Sequence, residues 1–358
     1  MLIAIGLSLM FNQIAAGYFT ILQGLQKFKF IAKITLLSTI VNLAISYFIY
    51  MKYKINGIAV VFLLNSLSSV IISFFYYKKL RIKNLKLKNK YFIYKTKRIL
   101  SFGIVLTITG LIPLCFSYLF KIIIAKKGLE MLGLYTAGYA IVNTYSNVVF
   151  ASMSSDYLPR LSNAIHNKEK YINIVNKQSE IAIIIFSPII LFFIVYSKIL
   201  INILYSSKFE NIDSLLILIS FGTFFKMLSY PIATILIANG KKKLFFFNEL
   251  IYNSYNFILG IIFFRFFGLT GLGLSFVLTY LIYFIQVYFI TNSFFSFSYN
   301  INTVKLCISS LCLILIPIIL FYFFGLNNNF IRIFFGSFFA IICLIYSIIQ
   351  LKIRIKTD

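Results

Sequence analysis

Tryptophan is absent from this chain, and acidic residues are scarce: eight Asp and Glu stand against 34 Lys and Arg. A nucleotide-hydrolysing site needs a phosphate-cradling G-x-x-x-x-G-K-[S/T] loop and carboxylates to hold its metal; no such loop occurs, and carboxylates are few. The one histidine, His166, lies in a polar loop with no second His or Cys nearby, so it reads as solvated rather than as a ligand. Cys115, Cys307, Cys312 and Cys343 all lie in apolar runs, and none forms a Cys-x-x-Cys pair. Metal and redox chemistry therefore have little support. No Ser-His-Asp or paired-carboxylate arrangement sits in a polar domain. The expectation is a protein without enzymatic activity, cofactor or metal.

What the chain has instead is apolar length. Hydrophobic residues make up 61% of its 358 positions. No soluble domain of this size hides that much apolar surface in one core. Eleven apolar runs recur, at roughly 2–23, 31–50, 55–76, 100–120, 131–152, 179–200, 214–237, 244–264, 270–291, 304–324 and 331–351. Each is long enough to cross a hydrocarbon core of about 30 Å as a helix. The expected fold is an all-α polytopic transmembrane helix bundle. The first run carries Asn12 and Gln13 in its middle and lacks a basic start, so it does not read as a signal peptide. Pro113, Pro188, Pro231 and Pro317 stand within spans, as static kinks or as hinges.

The net charge of +26 does not point to nucleic acid, because the cations sit in short loops between spans. Alternating those loops puts 24 Lys and Arg on one side and 9 on the other, with Lys226 alone inside a span. That bias places the C-terminus in the cytoplasm and residue 1 outside. The chain also repeats itself. Asn42 and Asn256, Gly57 and Gly271, Phe62 and Phe276, and Leu64 and Leu278 are all 214 residues apart. Each set follows the order basic loop, helix with Asn, short turn with Gly, helix. Parallel repeats of this kind build two-lobed transporters. The expected division is 1–77 for the first lobe and 78–98 for a basic linker at the anionic cytoplasmic surface. A six-helix second lobe takes 99–291, and 292–358 holds two accessory helices and a tail.

Ionisable groups inside spans are costly and face a bundle interior or a wet cavity. Lys226 is central to its span, and Glu249 lies about 9 Å below the Lys243 boundary at 1.5 Å per residue. Glu249, Asn253 and Asn256 share one helical face, which meets Lys226 if the two helices are neighbours. The expectation is a buried Lys226–Glu249 pair, or one shared with Asn253, as a structural bridge or as a cavity wall that couples protons or cations. Tyr135, Tyr139 and Asn143 form a second stripe, with Tyr118 and Lys121 on the preceding helix. It reads either as aromatic packing with Lys121 snorkelling outward, or as a cavity lining that attracts pyrophosphate or acidic sugars. Asn12 and Gln13 either clip helices together or face the cavity.

The order of several motifs resembles a known family. Ser101-Phe102-Gly103, Lys121 closing its helix, Gly133, the run Tyr135, Gly138, Tyr139, and the closing Leu158-Pro159-Arg160 are similar to Wzx-like polysaccharide flippases. These belong to the multidrug/oligosaccharidyl-lipid/polysaccharide exporter superfamily. The segment Ile21 to Lys33 resembles the stretch after that family's fourth helix. The resemblance implies a fourteen-helix plan of which this chain lacks the first three helices, leaving the first lobe incomplete. It further implies a bacterial inner-membrane protein moving undecaprenyl-pyrophosphate-linked oligosaccharide for O-antigen or capsule by alternating access. Its partners would be membrane lipids, a coupling H+ or Na+, and polysaccharide polymerase machinery. Three alternatives stand beside this: a lipid II flippase, a cation-coupled multidrug exporter, and a truncated remnant that does not transport.

Overall fold

The computed structural model describes residues 2–80, 89–323 and 329–357. Helices run through α1 (Leu2–Gly24), α2 (Phe28–Tyr53), α3 (Ile58–Lys78), α4 (Asn89–Ala125), α5 (Leu129–Ala164) and α6 (Lys168–Val195). They continue as α7 (Ser197–Leu204), α8 (Asp213–Ala238), α9 (Lys242–Phe295), α10 (Ile301–Phe323) and α11 (Asn329–Thr357). No strand occurs among the described residues. Of the expected basic linker, residues 81–88 lie outside the described residues, and α4 begins at Asn89. Several helices outrun their apolar spans. α5 continues past residue 152 through Pro159 to Ala164, because helical hydrogen bonding persists into the polar boundary.

Eight helical stretches among the described residues are long and apolar enough to cross a membrane. Two of them, Phe28–Lys78 with 51 residues and Lys242–Phe295 with 54, are hairpins that supply two crossings each. α5 is not among the eight, since Asn143, Ser146 and Asn147 dilute its apolar run. Large apolar side chains point outward along the bundle, as Ile99, Leu111 and Leu114 do on α4. In a lipid solvent such surfaces need no cover. The protein is a multi-pass helical membrane protein.

The chain forms two compact units: residues 1–93 with 153–159, and residues 94–152 with 160–358. In the first, α3 packs on α1 and α2. Leu22, Ile31 and Ile34 form its core. Polar clips join α2 to α3: Ser68 donates to Asn42 Oδ1 at 2.6 Å, and Asn65 donates to Ser46 Oγ at 3.1 Å. In the second unit α6 and α8 are the most buried helices. α8 packs against α6 and α9 around Leu215, Leu216, Ile219, Phe264 and Phe276. The end of α11 is tied to α6 by an ion pair, Arg354 Nε to Glu180 Oε2 at 2.6 Å. Thr303 of α10 donates to the other oxygen of Glu180 at 2.8 Å.

The 214-residue repeat is present in the backbone as well as in the letters. Lys54 has φ 46° and ψ −130°, and Gly268 has φ 58° and ψ −136°. Gln26 and Gly240, the same distance apart, take φ 55° and 66°. At the hairpin turns a methyl on Gly57 would lie 2.8 Å from Ile49 Cγ2, and one on Gly271 would lie 2.0 Å from the Phe263 carbonyl oxygen. Both glycines press on the residue eight positions earlier. The two hairpins therefore close by the same backbone path, with glycine in the left-handed position at 268 and lysine at 54. A side chain there costs about 1–3 kcal/mol. Lys54→Gly is expected to raise the melting temperature of the purified protein in detergent, and Gly268→Ala to lower it. Melting curves unmoved by both changes would refute the strain.

Candidate functional site

One cavity of about 370 Å³ lies wholly inside the second unit. Three elements wall it. α4 presents Pro113, Phe116, Ser117 and Phe120, and α5 presents Tyr135, Tyr139 and Asn143. The two limbs of α9, 242–267 and 269–295, present the rest. Glu249, Tyr252, Asn253 and Asn256 come from the first limb, and Ser275, Phe276 and Tyr280 from the second. Helical periodicity explains the selection. Glu249, Asn253 and Asn256 recur at i, i+4 and i+7, and Phe276, Tyr280 and Tyr283 repeat that spacing on the opposing limb. The sharp turn at Gly268 folds the limbs against each other and brings the stripes face to face.

The aromatic rings form a continuous arc. Successive centroids lie 5.7 Å apart for Phe120–Tyr135, 4.6 Å for Tyr135–Tyr139 and 5.7 Å for Tyr139–Phe276. The arc continues at 4.7 Å to Tyr280, 5.6 Å to Tyr252 and 4.5 Å to Tyr283. Most pairs are tilted or edge-on, the arrangement the ring quadrupole favours. Glu249 closes one end. Its Oε1 accepts from the Tyr283 hydroxyl at 2.7 Å and from Asn248 Nδ2 at 3.3 Å. Gln286 donates to Asn248 Oδ1 at 2.8 Å and so orients that amide. Asn253 is committed in part to its own helix, donating to the Glu249 carbonyl at 2.8 Å.

A second cavity of about 190 Å³ adjoins the first, and Glu249, Tyr252 and Tyr280 line both. Lys226 stands in it. Its ammonium donates to Asn143 Oδ1 at 3.3 Å and lies 5.4 Å and 5.7 Å from the ring centroids of Phe150 and Tyr280. Two π faces and one amide oxygen thus offset the desolvation of this cation. The expected direct Lys226–Glu249 ion pair is not formed. Both residues line the smaller cavity together with Tyr252 and Tyr280, and each takes neutral partners instead.

The other expected residues divide. Tyr135, Tyr139, Asn143, Glu249, Asn253 and Asn256 share the larger cavity. Tyr118 and Lys121 do not reach it. They lie on another face of α4, with Tyr118 68% exposed and the Lys121 ammonium 5.7 Å from its ring. The pattern residue on that helix is Ser117 with Phe116 and Phe120. Asn12 and Gln13 are exposed on α1 in the first unit. Sequence reasoning passed over Tyr252, Tyr280, Tyr283, Asn248 and Gln286. The i, i+4, i+7 spacing from Phe276 to Tyr283 was the signal for two of them.

The class that fold and site define is a multi-pass helical membrane protein with a polar, aromatic-walled cavity inside one helical unit. The chain belongs to the polysaccharide biosynthesis protein family, whose model matches residues 1–214, more than half of its length. Its fold is that of a MATE transporter from Vibrio cholerae, VcmN, in the form of a mutant. The TM-score is 0.71 at 12% identity, covering 80% of this chain and 67% of that one. The lipid II flippase MurJ, in an inward closed conformation, is also similar. Its TM-score is 0.60 at 18% identity, covering 98% of this chain and 72% of the other. No curated protein matches the chain.

The Glu249–Tyr283 bond is buried, so the two side chains should be energetically coupled. A double-mutant cycle of Glu249→Gln and Tyr283→Phe, read by thermal unfolding in detergent, is expected to give a coupling of about 1–3 kcal/mol. Additive effects would mean that the two do not act together.

Proposed function

We propose that this protein is a membrane flippase that moves undecaprenyl-pyrophosphate-linked oligosaccharide across the cytoplasmic membrane for surface polysaccharide, O-antigen or capsule. The observation that carries the reading is the chemistry of the cavity in the second unit. Tyrosine rings offer flat apolar faces to the C–H faces of sugars. Asn143, Asn253, Asn256 and Glu249 offer donors and acceptors to hydroxyls. A volume of about 370 Å³ is at the small end of ligand pockets and takes the terminal sugars rather than a whole chain. Lys226 at the adjoining cavity supplies a cation for an acidic sugar or a phosphate.

Family membership and the fold shared with an exporter and a lipid II flippase support the same direction. On this reading the protein exposes the substrate alternately to either side of the membrane, driven by H+, Na+ or the membrane potential. The lysine-rich loops face the cytoplasm, and a polymerase on the far side consumes the product. The second reading is a cation-coupled drug exporter. Glu249 favours it, a single carboxylate among aromatic rings, where a lipophilic cation would also lodge.

The test is complementation of a strain lacking its own oligosaccharide flippase, scored by surface polysaccharide with membrane level checked in parallel. Tyr252→Ala and Tyr280→Ala are each expected to lower output about tenfold, the roughly 1.4 kcal/mol of one stacked ring. Tyr118→Ala and Lys121→Ala are expected to stay near the parent. Equal loss across all four variants, or none in any, removes the cavity from the function. Drug resistance without polysaccharide would select the second reading.

A further inference from the structure

Away from the site, a separate cavity of about 420 Å³ is lined by Gly240, Lys241, Lys242, Lys243, Leu244, Phe294 and Phe295. It joins the two ends of the α9 hairpin. Gly240 makes this possible by turning left-handed at φ 66°, so that α8 ends and three consecutive lysines start the next helix. Lys242 is fixed in place. Its ammonium donates to Ser101 Oγ at 2.9 Å and lies 5.8 Å from the Phe102 ring. Lys241 and Lys243 are exposed, and among the described residues no acidic side chain lines the cavity. Beside them in the cavity wall Phe294 is 68% exposed.

Other contacts put this cavity at the lysine-rich end of the unit. The Tyr171 hydroxyl donates to the Phe295 carbonyl, and Asn176 holds Ser298 and Asn300. These contacts reach the first turns of α6, which carries Lys168, Lys170 and Lys177, and the start of α10, which carries Lys305. An ammonium cluster beside the exposed ring of Phe294, at the end of an apolar helical hairpin, matches an amphiphile that joins a phosphate to acyl chains. We propose that Lys241 and Lys243 bind the headgroup phosphate of an anionic phospholipid from the leaflet at that end, while Phe294 and Phe295 pack against the start of its chains. Lys242 shapes the site by holding α9 to α4. The site is distinct from the aromatic cavity and does not depend on the flippase reading.

Native mass spectrometry of the purified full chain in detergent tests this, titrating phosphatidylglycerol against phosphatidylcholine. The parent is expected to retain phosphatidylglycerol selectively. K241Q/K243Q should lose about thirtyfold in that affinity, since each lysine near an anionic headgroup is worth roughly fivefold. K241R/K243R should keep most of it, and the melting temperature in detergent without lipid should stay unchanged in both. If the double glutamine variant fails to fold, the single variants Lys241→Gln and Lys243→Gln are each expected to lose about fivefold. Selective binding that survives both glutamines overturns the proposal. So does a parent that shows no preference for the anionic lipid. Inorganic pyrophosphate that displaces the lipid at equal concentration also overturns it, by assigning the lysines to a free phosphate group.

Discussion

Hydrocarbon offers no hydrogen bonds, and every feature of this chain answers to that. Backbone groups inside a bilayer must pair within their own segment, which leaves helices as the building material for a sequence with this apolar content. The same solvent reverses the usual sense of a surface. Many Leu, Ile and Phe side chains point outward, and polar side chains inside the units turn toward one another. Ser68 finds Asn42, Thr303 finds Glu180, and Glu249 finds Tyr283 and Asn248. Apart from the neighbouring Asn248, each partner comes from another helical segment, so the contact removes polar groups from lipid where two segments meet.

The aromatic cavity follows from the same rule. Glu249 and Lys226 are charges carried into a membrane span, and each is compensated by neutral groups rather than by the other. Tyr283 and Asn248 serve the carboxylate; Asn143 and two aromatic faces serve the ammonium. Glu180 and Arg354 show the opposite arrangement. Their direct bond anchors α11 to α6 and leaves little charge uncancelled. One fold therefore holds buried ionisable groups in two ways, by a direct ion pair at the end of the bundle and by neutral partners within it.

The two hairpins share a backbone path that one of them completes with the wrong residue type. Gly268 adopts its left-handed turn without strain, while Lys54 adopts nearly the same angles with a side chain attached. The glycines at 57 and 271 are under a firmer constraint, since a methyl group at either would meet atoms of the preceding helix. Repetition in this protein is carried by where the chain must turn and where helices must touch, which is why few other letters are shared between the halves.

Helix class, span positions, the uneven distribution of lysine and the repeat were all legible in the sequence. Each depends on periodicity, length or composition, and these are local properties. The stripe of Glu249, Asn253 and Asn256, and that of Tyr135, Tyr139 and Asn143, were legible for the same reason: spacing along a helix defines a face. Which faces meet is a different matter, because it depends on how helices rotate about their axes when they pack. That rotation turned Ser117 rather than Tyr118 into the larger cavity and set Tyr252 and Tyr280 on the wall that the two cavities share. It also brought Tyr283 within reach of a carboxylate 34 positions earlier. Only the tertiary structure decided these contacts, since the energy that selects them lies in side chains distant along the chain.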